Sequence, residues 1–147
     1  MASLLSERYM AVWTGSASRD IVALVARVLL VPLFLMSGFG KITDFAGTTA
    51  HIDAQGLPLP MLGVLIAIAV EVGCAFLVLI GWKARWAALA ITSFSIVSGV
   101  FFHAYWNDTG SVARMVNYTN FWKNISIAGG FLMLFAFGPG RYSVDHA

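Results

Sequence analysis

The sequence predicts an all-α membrane protein, a polytopic antiparallel bundle of four transmembrane helices, and two observations lead to this class. The 147 residues are 59% hydrophobic and 11% charged, with a mean hydropathy of +0.81, a balance that soluble domains rarely have. Four long apolar runs take up most of this length, and a spanning helix needs about 20 such residues. Helices in a bilayer therefore account for nearly the whole chain.

The apolar runs give the expected elements in chain order. A polar N-terminal segment covers 1–20, and a four-helix transmembrane domain covers 21–147, with spans at 21–40, 59–81, 86–106 and 121–138. Clusters of glycine, proline and asparagine separate the runs, as turns require. Pro32 should kink the first span, because it lacks an amide hydrogen and its ring clashes with the preceding turn. We also expect a short helix at the membrane surface within 47–56.

Tryptophan and basic residues indicate the span boundaries and the orientation. All five tryptophans fall at expected span ends, where aromatic belts form: Trp13, Trp82, Trp86, Trp106 and Trp122. The basic residues outside the helix centres divide five to three between the side of the termini and the other side: Arg8, Arg19, Lys83, Arg85 and Arg141 against Lys41, Arg114 and Lys123. The positive-inside rule then predicts that both termini are cytoplasmic.

Composition also excludes several classes of function. The net charge of +2 comes without a basic run, so we expect the lipid bilayer as a partner and no nucleic acid. The single cysteine, Cys74, cannot form a disulfide or a redox pair within one chain. The three histidines lack ligand spacing to a cysteine or to each other, so we expect no metal site. A haem between His51 and His103 stays open as a weaker alternative.

Two ionisable residues lie deep in the expected spans, Arg27 in the first and Glu71 in the second. A charge at bilayer depth costs about 2.5 to 3.5 kcal/mol on insertion scales, so each needs a partner or a wet cavity. Counting from the span ends at about 1.5 Å per residue, the two differ by roughly 6 Å in height, and we predict that they pair. The pair either only fixes helix register or lines a polar pocket in which Glu71 exchanges a proton.

A second group is expected at the membrane level opposite the termini. It comes from the ends of three spans and consists of Lys41, His103, Trp106, Asn107, Asn120, Trp122, Lys123 and Asn124. Gly99 and His103 share a helix face, so the imidazole should look inward over the space that the glycine leaves. Such a set suits an anionic or carbonyl-bearing headgroup held between aromatic walls. The alternative is that the lysines only snorkel and the tryptophans only anchor the helices.

At these residues the sequence resembles the DoxX family of small four-span membrane proteins, particularly its short bacterial inner-membrane members. The resemblance covers about 27–145 and rests on strings that are weak singly but specific in this order. They are Arg27-Val28-Leu29-Leu30, Ser37-Gly38-Phe39-Gly40-Lys41, Gly56-Leu57-Pro58, Glu71 with Gly73, His103-Ala104-Tyr105-Trp106, Asn120-Phe121-Trp122-Lys123-Asn124, and Gly138-Pro139-Gly140-Arg141-Tyr142-Ser143-Val144-Asp145. The resemblance implies a multi-pass protein of the bacterial inner membrane.

The resemblance also implies a link to redox chemistry. One archaeal relative looks like the membrane subunit of a thiosulfate:quinone oxidoreductase, and mycobacterial relatives are associated with a membrane oxidoreductase complex that handles oxidative and thiol stress. We therefore expect a quinone as the cofactor, and a membrane redox partner or a second copy of the chain as the protein partner. The lack of paired cysteines argues against a thiol-to-quinone mechanism.

Three classes of function follow from these observations. The leading hypothesis is a quinone-associated oxidoreductase subunit, with Glu71 and His103 as candidate catalytic residues. Its candidate ligand-binding residues are Arg27, Lys41, Glu71, His103, Trp106, Trp122, Lys123 and Asn124. The alternatives are a non-enzymatic scaffold or partner subunit that binds another membrane protein through its small residues, and a small-solute permease with Arg27 and Glu71 as a coupling pair.

Overall fold

The structure is a computed structural model that describes residues 16–146. Every regular element in that part of the chain is helical. Three helical stretches are long and apolar enough to cross a membrane, namely Ala17–Thr43, Pro60–Ile80 and Ala84–Asn107, which we call the first, second and third spans. The all-α class and the membrane character are thus confirmed, whereas the predicted count of four spans is not. Most of the predicted polar segment, with Arg8 and Trp13, lies outside the described residues.

The first span consists of two helices, α1 (Ser16–Leu30) and α2 (Pro32–Thr43), which are separated at Val31. Pro32 has no amide hydrogen to donate to the carbonyl of Val28, so the helical hydrogen-bond ladder is interrupted there. A new helix starts on Pro32 itself, because the fixed φ of proline suits the first helical position. The predicted disruption of this span by Pro32 is confirmed.

A short helix, α3 (Phe45–Ala54), follows the first span, as the sequence predicted. Its start is capped by the side chain of Asp44, which accepts a hydrogen bond from the amide of Gly47 at 3.0 Å. Ile52 is buried and lies against Gly63, where a Cβ atom would sit 3.3 Å from the Ile52 Cδ1 atom. α3 therefore packs against the first turn of the second span.

The second span contains an element that the sequence did not predict. It runs as α4 (Pro60–Ile68), a π-helical turn (Ala69–Cys74) and α5 (Ala75–Ile80). Gly81 ends it with a φ of 74°, a left-handed conformation that glycine adopts without a steric cost. π-Helical turns are rare in proteins, and many of those that occur lie at functional sites. This one contains Glu71.

The remaining helices are α6 (Ala84–Phe102) and α7 (Ser111–Phe137), joined through a 3₁₀ turn at Tyr105–Asn107. They pack side by side, and the hydroxyl of Thr92 donates to the carbonyl of Ala128 at 3.4 Å. The predicted fourth span lies in the second half of α7. The first half of that helix is more polar, which lowers its mean hydropathy and sets it apart from the three spans.

The apolar core joins α7 to the three spans. Phe34 and Phe131 meet edge to face there, with ring centroids 5.4 Å apart. The buried residues of this core are Val31, Phe34, Ala75, Val78, Ala87, Ala88, Ile91, Phe131 and Leu134. Because they come from the first span, the second span, α6 and α7, all four long stretches belong to one bundle.

The segment after α7 closes one end of the bundle. The amide of Asp145 donates to the carbonyl of Gly81 at 3.0 Å, and the Asp145 carboxylate accepts from the amide of Ala84 at 3.3 Å. The amide of Arg141 donates to the carboxylate of Asp20 at 3.0 Å. The start of the first span, the turn between the second and third spans, and the C-terminal segment therefore meet at the same end.

Gly38 sets how closely α2 approaches the π-helical turn. A Cβ atom at this buried position would lie 2.6 Å from Val72 Cγ2 and 3.1 Å from Glu71 Cβ, which is closer than real side chains pack. Gly40, on the same helix, has nothing within 4 Å of the equivalent position. Packing therefore requires a glycine at position 38 but not at position 40, so Gly40 is a suitable control for substitutions of Gly38.

Substitution of each glycine by alanine tests this contact. Gly38→Ala should lower the free energy of unfolding by about 1 to 3 kcal/mol, because the added methyl group overpacks the contact between α2 and the π-helical turn. Gly40→Ala should leave it unchanged or raise it by up to about 1 kcal/mol, because the methyl group meets no neighbour and alanine favours a helix over glycine. Unfolding by sodium dodecyl sulfate in mixed micelles, followed by circular dichroism, measures both values. Equal effects at the two positions would show that the spans do not meet at Gly38.

Candidate functional site

The candidate site is an ion pair between the first and second spans. Glu71 is only 5% exposed, and its Oε2 atom lies 2.8 Å from the Nζ atom of Lys41. The same ammonium group donates a hydrogen bond of 3.1 Å to Glu71 Oε1. Within residues 16–146 no second ion pair is found. A buried carboxylate and a lysine thus neutralise each other across two spans.

Ser37 completes the site. Lys41 donates to the hydroxyl of Ser37 at 2.8 Å, and that hydroxyl donates to Glu71 Oε1 at 3.2 Å. Ser37 and Lys41 are four residues apart on α2 and therefore share a face. Gly38 between them lets this face approach the π-helical turn. We call Ser37, Lys41 and Glu71 the polar triad.

The polar triad is closed on the side of Glu71 and partly open on the side of Lys41. The side chain of Lys41 is 23% exposed, whereas that of Glu71 is 7% exposed. Glu71 Oε2 receives no hydrogen bond of normal geometry from the described residues, although the Lys41 ammonium lies 2.8 Å away. The Lys41 ammonium therefore contacts Glu71 Oε2 as an ion, and its hydrogen bond to this carboxylate goes to Oε1. One carboxylate oxygen therefore keeps acceptor capacity.

The predicted pairing of Arg27 with Glu71 is wrong. Arg27 is buried, and its guanidinium group donates to the carbonyls of Val78 at 3.3 Å, Leu79 at 3.0 Å and Tyr142. The first two carbonyls belong to the last turn of the second span, where helical carbonyls carry partial negative charge. The carbonyl of Val78 also accepts the amide of Gly81 at 3.2 Å. Glu71 lies about 10 Å further along the span, so Arg27 stays at the helix end.

Two interpretations of Lys41 and Arg27 change as a result. Lys41 does not merely snorkel toward the membrane surface, because its ammonium group reaches a buried carboxylate. Arg27 and Glu71 do not form the coupling pair on which the permease hypothesis depended. Arg27 instead ties the first span to the C-terminal segment through the carbonyl of Tyr142.

His103 belongs to a separate polar chain. Its Nδ1 atom lies 3.2 Å from Asn117 Oδ1, and Asn117 Nδ2 donates to Asp108 Oδ2 at 2.9 Å. An amide oxygen only accepts, so Nδ1 carries the proton and Nε2 is the acceptor nitrogen in the neutral ring. The space beside Gly99 is taken by Asn124, whose Cβ lies 3.4 Å from the missing side-chain position. The imidazole is partly buried and reaches α7 through Asn117, and its placement over Gly99 stays a prediction.

The other predicted residues lie in the middle of α7 and at the end of the third span. Trp106 and Trp122 both contact the ring of Phe121, with centroid distances of 5.6 and 5.3 Å, and each is about half exposed. Lys123 and Asn124 bond within their own helix, to the side chain and the carbonyl of Asn120. The structure thus brings the two tryptophans together. No hydrogen bond or ion pair in the described part joins this group to the polar triad.

Three residues of these networks were not singled out from the sequence: Ser37, Asp108 and Asn117. Ser37 carried a usable signal, because it lies four residues before Lys41 and so shares its helix face. Asp108 and Asn117 lie in and after a loop whose course no periodicity reveals. Among residues 16–146 no group of three or more His, Cys, Asp or Glu side chains is placed to hold a metal ion.

The fold and the polar triad together define an integral membrane protein that shelters an ion pair between two spans. The DoxX family model matches residues 22–104, which is more than half of the chain. The chain therefore belongs to the DoxX family, and it is an inner membrane protein.

Its relatives include two inner membrane proteins of Escherichia coli K12. The chain is 40% identical over 129 residues to inner membrane protein YphA, covering 88% of this chain and 91% of that protein. It is 40% identical over 126 residues to inner membrane protein YqjF, covering 86% and 91%. It is also 30% identical over 132 residues to the Surfeit locus protein 4 homolog of Schizosaccharomyces pombe, covering 86% of this chain and 37% of that protein. No solved structure matches the chain.

A double-mutant cycle distinguishes the observed pair from the predicted one. Lys41→Met should destabilise the protein by about 3 kcal/mol, because it leaves the carboxylate of Glu71 buried without a counter-charge. The double variant Lys41→Met with Glu71→Gln should recover more than about 1 kcal/mol of the summed loss.

The matched cycle combines Arg27→Gln with Glu71→Gln, and its two effects should add within about 0.5 kcal/mol. The two cycles share the variant Glu71→Gln, so unfolding in mixed micelles is measured for five variants, each relative to the unchanged protein. Strong coupling between Arg27 and Glu71, or none between Lys41 and Glu71, would overturn the assignment of the ion pair.

Proposed function

We propose that this inner membrane protein is a quinone-associated oxidoreductase subunit that holds the quinone headgroup at the polar triad. The observation that carries the proposal is the ion pair itself: Glu71 is buried, while its partner Lys41 is partly exposed. A ligand that approaches from the bilayer can therefore reach a cation beside a sheltered carboxylate. Such a site suits a headgroup with carbonyl oxygens and an apolar tail, which is the chemistry of a quinone.

Two of the three side chains supply complementary contacts for that headgroup. The Lys41 ammonium has three N–H donors, of which Ser37 and Glu71 Oε1 take two, and the third can bind a quinone carbonyl. The hydroxyl of Ser37 gives its one proton to Glu71 and holds the ammonium group in place. Glu71 keeps acceptor capacity at Oε2 and can take up or release a proton at that atom. A bound quinone supplies the capacity to accept or donate electrons. The electron donor is assigned to a partner protein in the membrane.

The topology proposed for this function has four spans. The second half of α7 is apolar and packs in the same core as the three spans, which supports it as the fourth. Arg141 donates to Asp20, and Asp145 donates to Gly81. These two hydrogen bonds place the start of the first span and the C-terminal segment at the same side of the bundle. The five-to-three distribution of basic residues supports a cytoplasmic location for that side.

Quinone binding to the purified protein tests the proposal. Protein extracted in a mild uncharged detergent should carry quinone that mass spectrometry of the solvent extract detects. Addition of a short-chain benzoquinone at about 100 times its dissociation constant should raise the melting temperature by about 5 to 10 °C. The shift should vanish in the double variant Lys41→Met with Glu71→Gln, which removes both charges and leaves no unpaired ion to disturb folding.

Lys123→Gln is the matched control for that experiment. It also removes a lysine near a span end, but Lys123 is exposed and bonds only to Asn120 within the described residues. The control should keep the full melting shift. The proposal fails if no quinone is extracted and added quinone leaves melting unchanged, or if the Lys41 and Glu71 double variant responds like the control.

A further inference from the structure

One end of the molecule displays four exposed cations. Arg19 lies at the start of α1, Lys83 and Arg85 lie at the turn between α5 and α6, and Arg141 lies in the C-terminal segment. We call these four residues the basic rim. They are scattered in sequence, but the contacts that close this end of the bundle bring their backbones together.

Two of these contacts place the basic rim directly. The amide of Arg141 is bonded to the carboxylate of Asp20, the neighbour of Arg19, at 3.0 Å. The guanidinium group of Arg85 lies over Gly138, with Nη2 3.0 Å and Nε 3.3 Å from the position of a Cβ atom there. A side chain at residue 138 would displace Arg85. Because Gly138 has no side chain, the guanidinium group of Arg85 packs directly against the segment that carries Arg141.

The carboxylates at this end offset the charge of the basic rim only in part. Asp20 accepts the amide of Arg141, and Asp145 caps the amide of Ala84 at the start of α6. Within residues 16–146 no ion pair involves a cation of the basic rim. A hydrogen bond from a backbone amide leaves the charge of a carboxylate in place, so the four exposed cations of the basic rim exceed these two carboxylates by two positive charges.

Exposed aromatic residues are sequence neighbours of three of these cations. Trp82 is 49% exposed, Trp86 67% and Tyr142 53%, and each is next to a cation in sequence. The ring of Trp86 is held edge to face against Phe135 of α7, at 6.2 Å between centroids. Rings with an apolar body and a polar edge favour the level of the lipid headgroups. The cations beside them are therefore at the depth of lipid phosphates.

From this arrangement we infer that the basic rim binds anionic glycerophospholipid headgroups. The phosphate contacts Lys83, Arg85 and Arg141, and the acyl chains run down beside Trp82 and Trp86. The charge complementarity favours an anionic lipid over a zwitterionic one, since each Lys or Arg near a membrane surface contributes to the attraction of anionic headgroups. The inference is independent of the quinone site, which uses residues of α2 and the π-helical turn.

Native mass spectrometry of the full chain in an uncharged detergent tests the inference. The protein should retain phosphatidylglycerol in preference to phosphatidylcholine, and added salt should weaken the preference. The double variant Lys83→Asn with Arg85→Gln should bind phosphatidylglycerol about 25 times more weakly, or about fivefold for each cation removed. Asn suits position 83, because Lys83 has a left-handed backbone with a φ of 50°.

The control for the single variants removes one exposed cation from the first turn of α7, as Arg114→Gln. This control should keep its affinity for phosphatidylglycerol within about twofold of the unchanged protein, because Arg114 lies outside the basic rim, where each cation is worth about fivefold. The single variants Lys83→Asn and Arg141→Gln should each lose about fivefold with unchanged circular dichroism, which separates lost binding from lost folding. Equal retention of the two lipids, or equal losses in the rim and control variants, would overturn the inference.

Discussion

The structure depends on one constraint: Arg27 and Lys41, the two cations of the first span beyond its first turn, need partners within the protein. A charge in hydrocarbon costs about 2.5 to 3.5 kcal/mol even on insertion scales, so neither Arg27 nor Lys41 can face lipid. Both find partners on the second span, but of different kinds. Lys41 meets the carboxylate of Glu71, and Arg27 meets the carbonyls of Val78 and Leu79. Two anchors at different heights fix both the register and the orientation of the first span against the second.

The other unusual features of the bundle serve the Lys41 anchor. Gly38 removes the side chain that would hold α2 away from the π-helical turn. That turn shifts the helical register between α4 and α5 and lies at the position of Glu71, where an ordinary turn would present its side chains at other angles. A closely packed glycine, a π-helical turn and a buried ion pair therefore form one unit. The function proposed here uses that unit, since it leaves a carboxylate oxygen and a partly exposed ammonium group.

The sequence predicts the features that depend on local chemistry. Apolar length locates the three spans, the missing amide hydrogen of Pro32 predicts the interruption of the first, and the small-residue turn at Gly81 predicts the end of the second. The partner of Glu71 depends instead on tertiary placement. Depth along a span does not reveal which way a helix faces, so depth alone made Arg27 a plausible partner of Glu71. In the structure Arg27 donates instead to the carbonyls of Val78 and Leu79. The π-helical turn likewise has no signal in composition, and it arises where packing between helices overrides the ordinary ladder.

The most direct test of the account is the contact between Lys41 and Glu71 in a lipid bilayer. The chain has three lysines and two glutamates, so labelling lysine with ¹⁵N at Nζ and glutamate with ¹³C at Cδ leaves few pairs to distinguish. Solid-state magnetic resonance should find a strong dipolar coupling between the two labels, and Lys41→Met should abolish it. The carbon shift should be that of an ionised carboxylate. A neutral carboxyl group, or no coupling in the unchanged protein, would contradict the central claim.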